Sequence, residues 1–230
     1  MKKKLVVLTG AGISAESGIK TFRDADGLWE GYDVMEVATP EGWSRNPELV
    51  LDFYNQRRRQ LRDVQPNAAH LGLARLEEYF DVRIITQNVD NLHEKGGSSN
   101  VLHLHGELLK VRSVKNPGHV LDWHGDLLLS DKDEQGFQLR PHIVWFGEEV
   151  PALEEAVYLT NEADVVAVIG TSLQVYPAAG LVSYSRPEVP VFYIDPKPAP
   201  IYGLPNKLEI IAMSATKGME LLDEKLKMYR

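Results

Sequence analysis

Five short runs of consecutive apolar, mostly β-branched residues punctuate the chain: LVVL (5–8), VRIIT (82–86), VVAVI (165–169), VFYI (191–194) and LEIIA (208–212). A parallel strand buried on both faces requires such a run, because neither side of it can be polar. Between the runs the period changes. In HLGLARLEEYF (70–80) and GMELLDEKLKMY (218–229) the apolar positions return every three or four residues, which predicts amphipathic helices. Strand and helix in alternation predict a layered α/β domain with a parallel sheet. Two stretches break the alternation: 24–65, helical in pattern and rich in Trp, Tyr and Arg, and 106–143, polar and interrupted by Gly, Pro and Asp. They predict a smaller lobe inserted into one domain, whose large lobe takes about 1–23, 66–105 and 144–230.

Composition narrows the partners. The 230 residues carry a formal net charge of −8 and are 43% hydrophobic, enough for one good core and a minor lobe. An acidic chain is a poor general partner for nucleic acid, whose binding rests on Lys and Arg neutralising phosphates. Behind MKKK the apolar run is only Leu5 to Leu8, and no segment approaches the roughly 20 residues of a membrane span. The expectation is a soluble, cytoplasmic protein, with its oligomeric state open and a monomer sufficient. With no cysteine, disulfides, thiolate nucleophiles and thiolate metal sites are excluded. Against this background VLDFYNQRRRQLRD (50–63) stands out, with Arg57, Arg58, Arg59 and Arg62 crowded onto one segment.

The first strand runs into TGAGISAESGI, placing Gly10, Gly12 and Ala15 in the GxGxxA form of the dinucleotide fingerprint. Glycines let the backbone approach a pyrophosphate, and free N–H groups of the following turn can receive it. A dehydrogenase needs a second strand ending in Asp or Glu about 20 residues further on. That interval holds KTFRDADGLWEGYD instead, so NAD is admitted and the ordinary hydride-transfer layout is not. Other strands also end in polar groups: VRIIT in Gln87, Asn88 and Asp90, VVAVI in Gly170, Thr171 and Ser172, and VFYI in Asp195. Ligands of open α/β sheets bind outside the carboxyl ends of the strands. Asp195 alone also reads as a turn cap before Pro196. In NVLHLHGELL, His103 and His105 stand at strand period, which puts both rings on one side and offers a general base. No further Cys or His at ligand spacing supports a metal pair, and a hydrogen-bonded structural histidine stays open for His103.

GAGISAESGI, TFRDADGLW, TQNVDNLH, LHGEL, LRPHIVWFGE and GTSLQVYPAA, in this order from residue 8 to about 216, resemble the sirtuins, the NAD-dependent protein-lysine deacylases. The resemblance implies a Rossmann-like large lobe with NAD at Gly10, Ala11, Gly12, Ile13 and Ser14, and with Arg23 and Asp24 beyond. It implies that Gln87, Asn88 and Asp90 shape the nicotinamide and ribose pocket, with Asn88 taking part in catalysis, and that His105 is the base. Gly170, Thr171 and Ser172, Asp195 and Ala215 take the adenosine side. Val144, Trp145, Phe146 and Gly147 match the strand that pairs with an acyl-lysine peptide. The implied products are nicotinamide, free lysine and 2′-O-acyl-ADP-ribose. An NAD or ADP-ribose sensor without turnover and a protein ADP-ribosyltransferase are the competing classes on this fold.

Two local features refine the resemblance. Most sirtuins carry a zinc ribbon of two CxxC pairs between the HGEL-like and RPHIVWFGE-like motifs. Here those places fall at Ser113 and Asn116 and near Lys132 and Gln135, so no zinc is expected. The ribbon remnant should instead pack on Trp123, Leu127, Leu128, Leu129 and Phe137. In the arginine run, Tyr54 and Arg57 match the Tyr-x-x-Arg pair of the class III sirtuins, which remove malonyl, succinyl and glutaryl groups. The upstream Ala38, Thr39 and Pro40 resemble the small-residue segment that makes room for the acyl chain. Arg58, Arg59 and Arg62 are left as a solvated face.

Overall fold

The computed structural model describes residues 2–20, 28–29 and 31–230. Among them the chain begins with β1 (Lys4–Thr9), the strands β2 (Leu28–Trp29) and β3 (Tyr32–Asp33), and the helices α1 (Val34–Val37), α2 (Pro40–Arg45) and α3 (Pro47–Asp63). It continues through α4 (Ala68–Leu76), β4 (Asp81–Thr86), α5 (Leu92–Lys95) and β5 (Val101–His103). The strands β6 (Gly106–Ser113), β7 (Val120–Asp122) and β8 (Leu139–Ile143) follow. Last come α6 (Leu153–Asn161), β9 (Val165–Ile169), β10 (Val191–Ile194), β11 (Leu208–Ile211) and α7 (Ala215–Leu226). All five apolar runs of the sequence are strands, and they lie in one parallel sheet of order β11-β10-β9-β1-β4-β5. This is the layered α/β fold that the alternation predicted, with the Rossmann-like sheet that the resemblance implied.

Burial alternates along the strands as the pleat dictates. Leu5 and Val7 face a core shared with α4 and α7, while Val6 and Leu8 face one shared with α6 and the 3-10 segment Ala178–Tyr184. The helix α4 is fixed at its start by Asn67, whose Oδ1 accepts the Ala69 N–H while its own N–H donates to His70 Nδ1.

Outside this sheet, β7, β6 and β8 make a three-stranded antiparallel ribbon. Helix α3 lies between two small cores, one built on Val37, Phe53, Tyr54, Leu108 and Trp145 and the other on Leu51, Val111, Leu127 and Leu139. Only part of the expected ribbon packing is present. Leu127 is fully buried and Trp123 packs against the second core, but Leu128, Leu129 and Phe137 are exposed. Three leucines in a row in an irregular segment cannot all face one thin core.

The arginine run also departs from expectation. Arg59 pairs with Asp126 on the surface, but Arg58 is only 1% exposed. Its Nε donates to the Leu108 carbonyl at 2.9 Å and its Nη1 to Asn55 Oδ1 at 2.6 Å, which ties α3 to β6. Arg62 donates to the His124 carbonyl at 3.0 Å. Arg59 and Arg62 stay exposed as expected, and the departure is Arg58, which is buried where α3 packs on β6.

Candidate functional site

The register of the sheet aligns the polar strand ends. Thr9 pairs with Thr86 and with Ile169, and Ile169 with Ile194, so these four residues form one row. One residue beyond them stand Gly10, Gln87, Gly170 and Asp195, which line one cavity of about 600 Å³ above the sheet.

Two of the loops meet backbone to backbone. The Gly12 N–H donates to the Gly170 carbonyl at 2.8 Å, and a Cβ on Gly12 would lie 2.7 Å from the Gly170 Cα. Gly170 has φ of 64°, a left-handed conformation natural to glycine, and a Cβ there would collide with the Ile13 nitrogen. The glycines thus allow two strand ends to close on each other. Beside them Gln87 Nε2 donates to Thr171 Oγ1 at 3.1 Å, and the buried Tyr193 hydroxyl donates to the Thr171 carbonyl at 2.9 Å. Asp195 does both things its sequence allowed, since it lines the cavity and its Oδ1 accepts the Lys197 N–H at 2.8 Å.

The two histidines separate sharply. Strand β5 stops at His103, so strand period does not carry through to His105, and only His105 lines the cavity. Its Nδ1 lies 3.0 Å from the Gln87 carbonyl, which can only accept, so Nδ1 carries the hydrogen and Nε2 is left basic. Burial lowers its pKa from the ordinary 6.5 against a smaller opposing effect of that hydrogen bond. His103 is gripped at both nitrogens, by the Asn88 carbonyl at 2.9 Å and Glu94 Oε1 at 2.8 Å. Burial would lower its pKa too, but the Glu94 hydrogen bond and charge outweigh it and leave the value raised. The two rings are thus shifted in opposite directions, His105 toward its neutral form and His103 toward its charged form.

Below the cavity lies a buried polar floor. Ser14 Oγ receives Asn88 Nδ2 at 3.2 Å and donates to Asp90 Oδ2 at 3.0 Å, and Asp90 Oδ1 accepts the Leu92 N–H. Burial raises the pKa of Asp90 although these bonds favour its charged form. Ser14 and Ile13 are themselves fully buried beneath the lining residues.

On the opposite wall Tyr54 is 0% exposed and accepts the Trp145 Nε1–H at 3.0 Å. Arg57, one turn further on α3, is not among the described lining residues. Its guanidinium lies over the Phe53 ring, 4.0 Å from the centroid, and its Nη1 donates to the Phe53 carbonyl at 2.7 Å. Val144, Trp145, Phe146 and Gly147 all line the cavity, but as a turn rather than the expected strand, because β8 ends at Ile143. The Val144 N–H donates to the His105 carbonyl and the Phe146 N–H to that of Ala38, each at 2.9 Å.

Of the remaining expected residues, Ala215 is buried at the start of α7, and its predecessor Ser214 lines the cavity in its place. Arg23 and Asp24 lie outside the described residues. Trp29, Glu148, Tyr176 and Lys197 join the lining without having been singled out in the sequence. Of these, Trp29, Glu148 and Tyr176 had a signal, since each lies in one of the motifs that carry the resemblance, and Lys197 had none.

The glycine loops and the amide, hydroxyl and carboxylate groups along the floor and rim form an elongated donor and acceptor set suited to a dinucleotide. Among the described residues no group of three or more His, Cys, Asp and Glu is placed to hold a metal ion, and no helix is long and apolar enough to cross a membrane.

Comparison with known proteins agrees with this geometry. Residues 10–177 match the model of the Sir2 family. A protein of Helicobacter pylori called NAD-dependent protein deacylase is 59% identical over 224 residues, 97% of each chain. A Sir2 homologue solved as a complex with NAD superposes with a TM-score of 0.86 at 38% identity, over 99% of this chain and 91% of the other. A Sir2 protein bound to an acetylated peptide superposes with a TM-score of 0.78 at 29% identity, over 97% and 93%.

Proposed function

Because the chain belongs to the Sir2 family and is an NAD-dependent protein deacylase, we propose that it removes malonyl and succinyl groups, besides acetyl, from protein lysines. The acyl-lysine substrate class follows its relative's name and the acetylated peptide held by the similar Sir2 structure. The observation that carries the dicarboxylate preference is the wall formed by Tyr54 and Trp145. Tyr54 Oη already accepts the Trp145 N–H, so the hydrogen it has left is a donor, with no acceptor among the described residues. Arg57 follows one helical turn later and can hold a carboxylate through two parallel hydrogen bonds. This reading requires its guanidinium to turn inward from the Phe53 ring when an acyl carboxylate is present.

When bound, NAD supplies a nicotinamide leaving group and an electrophilic ribose carbon. Gly10, Ala11 and Gly12 would hold its pyrophosphate above the buried Ile13 and Ser14. Gln87, Asn88 and Asp90 would flank the nicotinamide side, and Gly170, Thr171, Ser172 and Asp195 the adenosine side. His105 accepts a proton at Nε2, and the Gln87 carbonyl stabilises the resulting cation through Nδ1–H. Asn88 lines the cavity, anchored through Nδ2 to Ser14, and its side-chain oxygen would serve as an acceptor for the substrate or cofactor. The nucleophiles come from substrate and cofactor, so the lack of cysteine is no obstacle.

Incubation with NAD and an acyl-lysine peptide tests the reaction class. Peptide-dependent nicotinamide release, with the acyl mass recovered on ADP-ribose, is expected. Release without peptide, or an ADP-ribose mass added to the peptide, contradicts it.

A further inference from the structure

The turn 144–147 has no strand ladder to hold it, yet it borders His105, Ala38 and Tyr54 at once. Its main-chain N–H groups are distributed among three partners: Val144 to His105, Phe146 to Ala38, and Trp145 to the Glu148 carboxylate at 2.8 Å. Both oxygens of Glu148 are engaged. Its Oε1 receives Arg140 Nη1 at 2.7 Å, and its Oε2 receives Arg140 Nη2 and Arg112 Nη2 at 3.1 Å each. Both arginines also donate to the Ile143 carbonyl just before the turn, at 3.2 and 3.0 Å. Arg140 then stacks on the Trp145 ring, 3.3 Å from its centroid. Contacts therefore run without a break from β6 and β8, through Glu148, to the indole that bonds Tyr54.

We propose that Glu148 is the positioning residue for the acyl-lysine subsite: bridging Arg112 and Arg140, it fixes the turn 144–147 and thereby the placing of Trp145 against Tyr54. The inference rests on reading that wall as the acyl-lysine subsite. Glu148 lines the cavity in a positioning role rather than as an acid or base for the reaction, because both its carboxylate oxygens accept from fixed donors. Burial alone would raise its pKa, but the bonds and charges of Arg140 and Arg112 and the Trp145 N–H bring it below the ordinary value. It stays ionised, and charge-assisted bonds of this kind are the strong ones. The ribbon thus acts on the substrate side of the cavity and leaves the glycine loops to the sheet.

Glu148→Gln keeps the shape and one acceptor but removes the charge that two arginines share. With an acetyl-lysine peptide, its KM should rise roughly tenfold, while kcat and the KM for NAD stay within about twofold. A merely structural role would lower the active fraction and hence kcat, without selecting the peptide KM. A wild-type peptide KM, or peptide and NAD KM values rising together, overturns the proposal. If the Gln variant does not fold, Arg112→Gln removes one partner and should shift the peptide KM in the same direction by a smaller factor. An unchanged peptide KM there is equally contrary. The acetyl peptide separates this inference from the dicarboxylate preference: wild-type protein indifferent to succinyl contradicts that preference alone.

Discussion

The Nδ1–H of His105 donates to the carbonyl of Gln87 over 3.0 Å, and this one bond decides which ring nitrogen is basic. Two residues earlier, His103 makes the corresponding bond to Asn88 but adds Glu94 on the other nitrogen. The same side chain thereby keeps one ring nitrogen as an acceptor at one position and has both nitrogens engaged at the other.

As the proposed base, His105 must be neutral to act, and burial holds its pKa below the ordinary 6.5. The acid limb of kcat/KM against pH is therefore expected below pH 6.5, with full activity at neutral pH. His105→Tyr should lower activity at least about 100-fold for every acyl group, the scale of a lost general base. A limb centred above pH 7 contradicts the assignment.

For His103 the effect is on stability. Its folded pKa is raised, so the folded state binds the proton more tightly than the unfolded one. That contribution is fully present below the unfolded value of 6.5 and is lost as pH rises through the higher folded value. Urea midpoints of the wild-type protein and His103→Gln should therefore differ most at about pH 5.5 and converge toward pH 9. A gap that widens with pH contradicts the sign.

The ribbon turns that carry zinc ligands in most sirtuins are closed here by oxygen. Ser113 Oγ accepts the N–H groups of Lys115 and Asn116 at 3.2 and 3.3 Å, and Asp133 Oδ1 those of Gln135 and Phe137 at 3.0 and 2.8 Å. The Ser113 hydroxyl on one turn, with the Phe137 and Gln135 N–H groups on the other, holds the Asp133 carboxyl below its ordinary pKa. Ser113 is 1% exposed, and Ser113→Ala should destabilise the fold by about 1 kcal/mol in urea unfolding. Prolonged chelation should leave the wild-type midpoint unchanged. Stoichiometric zinc in untagged protein contradicts this.

The sequence makes the strand-end row legible because Gly10, Gln87, Gly170 and Asp195 each follow an apolar run, and a parallel register aligns such ends automatically. Side chains whose place depends on pairing between distant segments are not legible. Glu148 acquires its role only when β6 and β8 bring Arg112 and Arg140 together, and Arg58 is buried only because β6 packs on α3. Composition likewise could not choose among Leu127, Leu128 and Leu129, since one side of a thin ribbon takes only one of them. The resemblance implies a strand at VWFG, but Gly147 at φ 88° belongs to a turn.

The dicarboxylate preference meets its most direct test in kcat/KM for acetyl-, malonyl-, succinyl- and glutaryl-lysine peptides with NAD, measured for the wild-type protein and Arg57→Met. The variant should lose roughly 10- to 100-fold on succinyl and malonyl peptides, the worth of a charge-assisted bidentate contact, while acetyl removal stays within about threefold. Equal losses on acetyl and succinyl peptides would contradict a carboxylate held by Arg57.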